Sequence, residues 1–470
     1  MISSEQFTVS NQNIRNLHIK VNLLNFSYQT IDSLEGNAID GSISIDANSD
    51  IRRTCNVQLV VTDSTFDVQS GGKIFLDRYI QIYIGIENIH TDDIVWFNQG
   101  IYLINAPSYS FNATTNTLTF TGVDLMAKMT GLRNGTLVGT MYKIPQGSDI
   151  RGAMIAVLEL AGFKKYVIEK NTTTEIVPID LEFDQGSTQF DILCGLRDIE
   201  PQHQIYFDVD GVFHYDMIPS GKEEISVMDD SVLGQSIIEE SITVDFEGVK
   251  NSIEIFGRAH DVNYFSTSTT VAENIISLTI ESLSSLSEFT MIGFVVPSDV
   301  TGNIQITIGS LGTHNLVDSK GQSITSLDKD GYYVATYQKD NTWLFLGHQQ
   351  AYGVFKDTNP DSPFYIGNPA GEINLPLFGG EYENIPSDEL AVQRAEFEIY
   401  TRCRLNDTLT LTTVPFYYLT VHQLISYTPK ANNSKRATYQ YMIQSINFSL
   451  NERDAMTINA SKYYPFYEVI

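Results

Sequence analysis

Cysteine is scarce in this chain: Cys55, Cys194 and Cys403 are the three in 470 residues. They are far apart, odd in number and without Cys-x-x-Cys or Cys/His ligand spacing, which excludes a disulfide framework and a zinc site and leaves buried free thiols. Basic charge is also thin. The 29 Lys and Arg stand against 57 Asp and Glu, a net charge of −28. A field of that sign repels phosphate backbones and anionic lipid, so nucleic-acid readers and peripheral membrane binders are excluded unless the charge is segregated, and no basic stripe is present. Long apolar runs are missing. The longest, near residues 291–297, fall far short of the ~20 residues that span a bilayer, and the opening MISSEQFTVSNQ lacks the basic and apolar regions of a secretory signal. No membrane insertion is expected.

Catalytic signatures are missing too. The eight histidines include no His-x-x-x-His pair, and there is no Gly-x-Ser-x-Gly elbow, P-loop or dinucleotide fingerprint. Asp208 and Asp210 are spaced to share a strand face, as paired carboxylates would be, but an Asp210-Gly211 turn explains them without chemistry. Asp328, Asp330 and Asp340 flank turns and lack the ligand order of a calcium loop. The chain is therefore read as having no catalytic residues, metal or cofactor.

What is present is β patterning in a globular composition of 42% apolar and 18% charged residues, on a length that suits two to four domains at roughly 100–200 residues each. Residues 73–86, KIFLDRYIQIYIGI, alternate Tyr79, Gln81 and Tyr83 against Ile80, Ile82 and Ile84. Residues 96–104 and 118–121 continue the pattern across a polar hairpin loop at 112–116. A first barrel or sandwich, residues 1–140, is expected. Two helices follow. Ser148 or Asp149 caps one that buries Ile150, Met154, Val157 and Leu158 and ends at Gly162; Ser187-Thr188 opens another through Phe190, Leu193 and Leu196 that Pro201 stops. Residues 205–219 alternate around Asp210-Gly211, the signature of a type I′ hairpin. Residues 141–220 are read as a small α+β domain.

From Val244, VDFEGVKNSIEIFGR reads as two strands, after which Ser, Thr, Gly and Asn dominate an all-β module at 262–384. A helix opened by Ser387 and strands at 408–414, 424–427 and 439–450 then resume, so the module is inserted into a third domain formed by 221–261 and 385–470. In the module, Tyr332, Tyr333, Tyr337 and Trp343 suit either a sandwich core or a carbohydrate-stacking or partner-contact platform.

The two ends of the chain echo each other. Tyr102-Leu103-Ile104, a loop and Leu118 to Gly122 match Tyr441-Met442-Ile443, a loop and Met456 to Ala460, and residues 79–83 are echoed by 423–427. Either the chain holds two related β-barrels or the match is what any two hairpins share. Two barrels per chain in a threefold assembly make a ring of six similar units.

FNQGIYLINAPSYSFNATTNTLTFTGVDLMAKM (97–129), the helix pair with IYFDVDGVFHYDMIP, and VKNSIEIFGR (249–258) occur in the order found in bacteriophage tail hub proteins, which the chain resembles outside 262–384. Residues 366–428 are similar to the matching end of siphophage hubs from phages of Gram-positive hosts. The resemblance implies two related β-barrel domains; with the patterning above, the expected fold is mainly β, two related β-barrel domains with a small α+β domain and an inserted all-β sandwich module, the module being a departure from the minimal hub. The resemblance also implies a homotrimer at the tail tip, a virion baseplate component that caps or continues the tail tube. Its partners would be distal tail and tail tube proteins, the tape-measure protein and fibre or receptor-binding proteins. DNA would pass through without specific binding, past an acidic channel. The family's frequent peptidase or lysozyme-like extension has no counterpart before Ile470, so no lytic role is expected. The alternative is an adhesin that binds wall carbohydrate through the inserted module.

Overall fold

The computed structural model describes residues 3–33, 38–61, 66–111, 114, 116–139, 141–171, 175–178, 180–200, 202–221, 224–431, 437–450 and 455–465. Of the loop expected at 112–116, residues 112, 113 and 115 lie outside the described residues, as do Pro201 and the terminal 466–470. The protein is mainly β. It divides into two units, Met1–Gly248 with Leu405–Glu468, and Val249–Arg404.

The first unit is built on one twelve-stranded sheet whose strands come from both ends of the chain. Two sets of five antiparallel strands repeat within it. The first runs Ala38–Asp46, Arg53–Val60, Asn116–Val123, Ile94–Phe111, Tyr79–Glu87; the second runs Ile237–Asp245, Asn406–Thr413, Met456–Lys462, Tyr439–Ser449, Leu424–Tyr427. Their registers coincide. Ile104 faces Gly122 and Gly122 faces Cys55 in the first set, as Ile443 faces Ala460 and Ala460 faces Leu409 in the second. The echo at Tyr102 and Tyr441 is thus a structural repeat, since Tyr102 pairs with Ile80 and Tyr441 with Ile425. That pairing moves the match of residues 79–83 with 423–427 by one position. In the second set the Tyr427 hydroxyl donates to Glu240, which brings its last strand to its first and curls the set into a half-barrel.

The two sets are not separate domains. Residues 445–449 pair directly with residues 42–46, and one apolar core runs from Val21 and Phe120 to Leu411 and Ile458. Strands Leu17–Leu24 and Thr30–Ser33 extend the sheet beyond Tyr79–Glu87. The reason for one core is period-two alternation. Ile80, Ile82, Ile84 and Ile86 all point into it, so a single register buries every apolar residue of that strand face.

A second core in this unit holds the α+β segment against the sheet's other face, where Tyr79, Leu103 and Val123 point. Helix α1 is Ser4–Ser10, near the start of the chain. Helix α2, Ile150–Leu160, is capped by Asp149, whose carboxylate accepts the Gly152 N–H. Its end is a Schellman motif: Phe163 N–H donates to Leu158 (2.8 Å) and Gly162, at φ +86°, supplies the left-handed residue a β-carbon would strain. Helix α3, Gln189–Arg197, begins with a capping box between Thr188 and Asp191. Helix α4, Asp230–Ser236, leads into Ile237–Asp245. The hairpin His203–Phe207 with Phe213–Met217 differs from the expected type I′ turn: of Asp210 and Gly211 only Gly211 has positive φ. Asp208 accounts for this, because its Oδ1 accepts the N–H groups of Asp210 and Val212 (2.9 Å each) and holds a longer loop.

The second unit differs from the boundaries 262–384. It runs 249–404 because Ser252–Ala259 pairs with Gln350–Lys356 and Asn374–Phe378, and helix α5, Asp388–Arg402, packs Ala391, Ala395 and Ile399 onto Ile253 and Ile255. The two strands read from residues 244–258 therefore belong to different sheets. Ser387 caps α5 as its sequence implies, accepting the Leu390 N–H. The rest is an eight-stranded sheet from Tyr264–Phe265 to Ser268–Ala272 around a core of Ile292, Phe294, Leu316 and Trp343. The unit is inserted at a hairpin tip: Asp245 is the register partner of Asn406.

Candidate functional site

Trp343, Tyr333 and Tyr337 lie in the core of the second unit. Trp343 is fully buried and packs edge-on to Tyr337 at 5.0 Å, while the Tyr337 hydroxyl donates to Asn341 Oδ1 (2.9 Å). Tyr332 alone is half-exposed, stacked on Phe265 at 5.0 Å. A sugar stacks on an open ring face, and three of these four rings have none. The carbohydrate platform is corrected to a core: cross-strand partners Tyr337 and Trp343 face inward together. Asp340 caps a turn through the Thr342 N–H (3.1 Å). Among the described residues no group of three His, Cys, Asp or Glu side chains is placed to hold a metal. Burial pushes the Cys194 and Cys403 thiols up to about 12 and raises Cys55 further, which disfavours the nucleophilic thiolate at all three.

A polar network ties the 203–217 hairpin to the sheet. Arg52 lies over the Tyr206 ring (4.2 Å) and donates to Gln204 Oε1 (2.9 Å), which His422 Nδ1 also meets at 2.5 Å. Arg53 donates to Phe207 O (3.2 Å) and Thr420 Oγ1 (2.9 Å), and its N–H to the buried Asp124 (2.9 Å). His214 stacks on Tyr206 at 5.0 Å and bonds Asp208 at 3.0 Å. Burial, with the Arg52 charge adding to it, pulls His422 down to about 3, so it is neutral. The Asp208 hydrogen bond raises His214. Asp208 is committed to the turn and to His214, and Asp124 to two backbone amides, so these groups position the backbone.

The feature that a partner can read is the pair of open edges in the repeated sheet. Where the two sets join, residues 445–449 lie along residues 42–46, and Phe448, Leu450, Ile43 and Ile45 are at most 3% exposed. Among the described residues the equivalent positions elsewhere have no strand beside them, and the Tyr109 hydroxyl donates to Phe66 O (2.6 Å). Register places Tyr109 and Phe111 where Phe448 and Leu450 stand, and they are 46% and 79% exposed. Likewise Ile242 stands where Ile43 does and is half-buried, and Val244, in the place of Ile45, is 41% exposed. Among the described residues, Ile237–Asp245 is an end strand of the sheet, and residues 104–111 of Ile94–Phe111 bond Asn116–Val123 on one side only. A cavity of about 320 Å³ beside Ile242 and Val244 is also lined by Tyr439, Tyr441 and Lys462.

Sequence reasoning missed these residues, although a signal was there. Ser42-Ile43-Ser44-Ile45-Asp46 and Ser241-Ile242-Thr243-Val244-Asp245 are equivalent in register and differ only by Ser44 against Thr243 and Ile45 against Val244. Their last residues even cap alike: Asp46 Oδ1 accepts the Asn48 N–H (2.9 Å) and Asp245 Oδ1 the Glu247 N–H (2.8 Å).

Comparison with known proteins bears on the fold. A family described as a domain of unknown function (DUF5048) matches residues 361–467. No curated protein sequence matches the chain. Among solved structures, the 43 kDa tail protein of prophage MuSo2 from Shewanella oneidensis is similar at TM-score 0.53 and 10% identity, covering 95% of this chain and 98% of that one. The tail protein from Neisseria meningitidis MC58 is similar at TM-score 0.52 and 9% identity, covering 96% and 98%. The chain shares a fold with these two proteins along nearly their whole lengths.

Proposed function

We propose that this chain is a non-enzymatic structural protein of a phage-type tail, a homotrimeric hub at the distal end that caps or continues the tail tube and anchors the host-recognition apparatus. The observation that carries the reading is the internal repeat. Two register-matched five-strand sets per chain give six similar units in a trimer, which is how a threefold component meets a sixfold tube. The fold shared with two tail proteins supports it. Tail tube, tape-measure and fibre proteins are the partners this placement implies. The net charge of −28 suits the role, since an acidic wall repels phosphates and lets DNA slide past without sticking.

Light scattering tests the assembly. A mass three times 52.7 kDa and a ring of threefold outline in negative stain are expected; a strict monomer at tens of micromolar, with no rings, overturns the reading. The adhesin alternative loses its support with the burial of Tyr333, Tyr337 and Trp343.

A further inference from the structure

The join inside the chain is a template for a join between chains. Each five-strand set has a donor segment in its first strand and an acceptor edge in its fourth. Within the chain, the acceptor of the second set, residues 445–449, takes the donor of the first, residues 42–46. That leaves one acceptor, residues 105–111, and one donor, residues 241–245, without a strand beside them among the described residues. The apolar side chains buried at the closed join are exposed or half-exposed at both open ones, and the two donors share the Ser-Ile-x-Ile/Val-Asp pattern.

We propose that residues 241–245 of one copy pair antiparallel with residues 105–111 of a second copy, in the register of the internal join. Ile242 then faces Tyr109, as Ile43 faces Phe448, and Ser241 faces Ser110, as Ser42 faces Ser449. Thr243 faces Ser108. The bulge between Asn105 and Ser108, which includes Ala106 at φ +46° and Pro107, interrupts the ladder at one end, so its bonds run from Ser108 onward. Donor and acceptor are different surfaces, so the contact is heterologous and propagates head to tail until it closes. The inference rests on the trimeric reading, to which it adds the pairing strands and their register. It also covers a strand edge on which Ile238 and Val244 are exposed.

Two full-length single variants, Tyr109→Cys and Ile242→Cys, are co-expressed with different tags and oxidised with copper phenanthroline; the unmodified chain, whose own thiols are Cys55, Cys194 and Cys403, is the background. Each trimer that mixes the two variants holds one linkable join, so a disulfide-linked heterodimer is expected in up to about half of the chains. Thr243→Cys in place of Ile242→Cys should link at least tenfold less, because adjacent residues point to opposite faces. Hydrogen exchange on the unmodified assembly supplies a readout free of substitution: in 108–111 and 241–245 the amides that do not bond Asn116–Val123 or Asn406–Thr413 are expected to be protected as well. A trimer by light scattering without the disulfide and without that protection overturns the pairing and leaves the hub reading standing. A monomer overturns both.

Discussion

Replacing Trp343 with alanine separates a core residue from a ligand-binding one. The side chain is fully buried, and a buried tryptophan removes ~150–250 Å² from water, which at ~25 cal/mol per Å² amounts to about 4–6 kcal/mol. Its Nε1–H has no partner among the described residues, so an unpaired donor, costing ~1–3 kcal/mol, leaves with it. The net expectation is a loss of about 3–4 kcal/mol, within the range of Trp-to-Ala substitutions in cores. For a unit of this size that lowers a midpoint by about 10 °C, at ~2–4 °C per kcal/mol. Differential scanning calorimetry on the full-length chain reads it directly. Trp343→Phe keeps most of the volume without the orphaned donor and should lose about 1 kcal/mol. A Trp343→Ala loss under 1 kcal/mol, or a Phe variant as damaged as the Ala variant, refutes the core assignment.

Three further outcomes follow from geometry. Gly122→Ala should cost ~1–3 kcal/mol by denaturant titration, because a β-carbon there meets Cys55 Sγ at 2.5 Å and Tyr102 Cβ at 2.9 Å; adding Cys55→Ala should recover part of the loss. Glu398→Ala should cost ~3–5 kcal/mol, since the buried Glu398 takes the Nε–H of both Arg394 and Arg402 at 2.9 Å and its removal strips the buried Arg394 of a carboxylate partner. The third is pH dependence. Hydrogen bonding to Asp208 raises His214, so this pair's stabilisation is complete below the ordinary imidazole range and fades as pH rises through the elevated value. Burial alone would raise Asp208, but His214 and two amides hold it below its ordinary value, so the stabilisation also fades in strong acid. His214→Gln should flatten the stability profile between pH 6 and 8; an unchanged slope counts against the pair.

Features fixed by local bonding were legible in the sequence. Asp149, Thr188 and Ser387 cap helices because a side-chain oxygen reaches an amide two or three residues on, and Gly162 ends α2 because its neighbours demand positive φ. The repeat was legible at Tyr102 and Tyr441, where aromatic alternation is strong. It slipped by one position at residues 423–427, where the strand has four residues against nine in Tyr79–Glu87 and too few side chains to pin a register. The limits of the second unit were not legible, because Ser252–Ala259 finds its partners about 100 residues later. The four module aromatics were ambiguous for a related reason. Ring type does not say which face of a strand is inside, and cross-strand pairing with Trp343 decides it.

The position of the second unit at a hairpin tip also bears on how the chain folds. In the first strand set the corresponding hairpin is closed by five residues, with Asp46 N–H bonded to Arg52 O (2.9 Å). In the second, about 160 residues separate Asp245 from its partner Asn406. Loop-closure entropy makes that encounter costlier by about 3 kcal/mol if the intervening chain is a flexible coil. A folded second unit removes the handicap, because Lys250 N–H bonds Arg402 O at 3.1 Å and so delivers its two ends side by side. An inserted unit that folded first would act as a clamp, leaving the strand that carries the open donor edge only a short loop to close onto Asn406–Thr413.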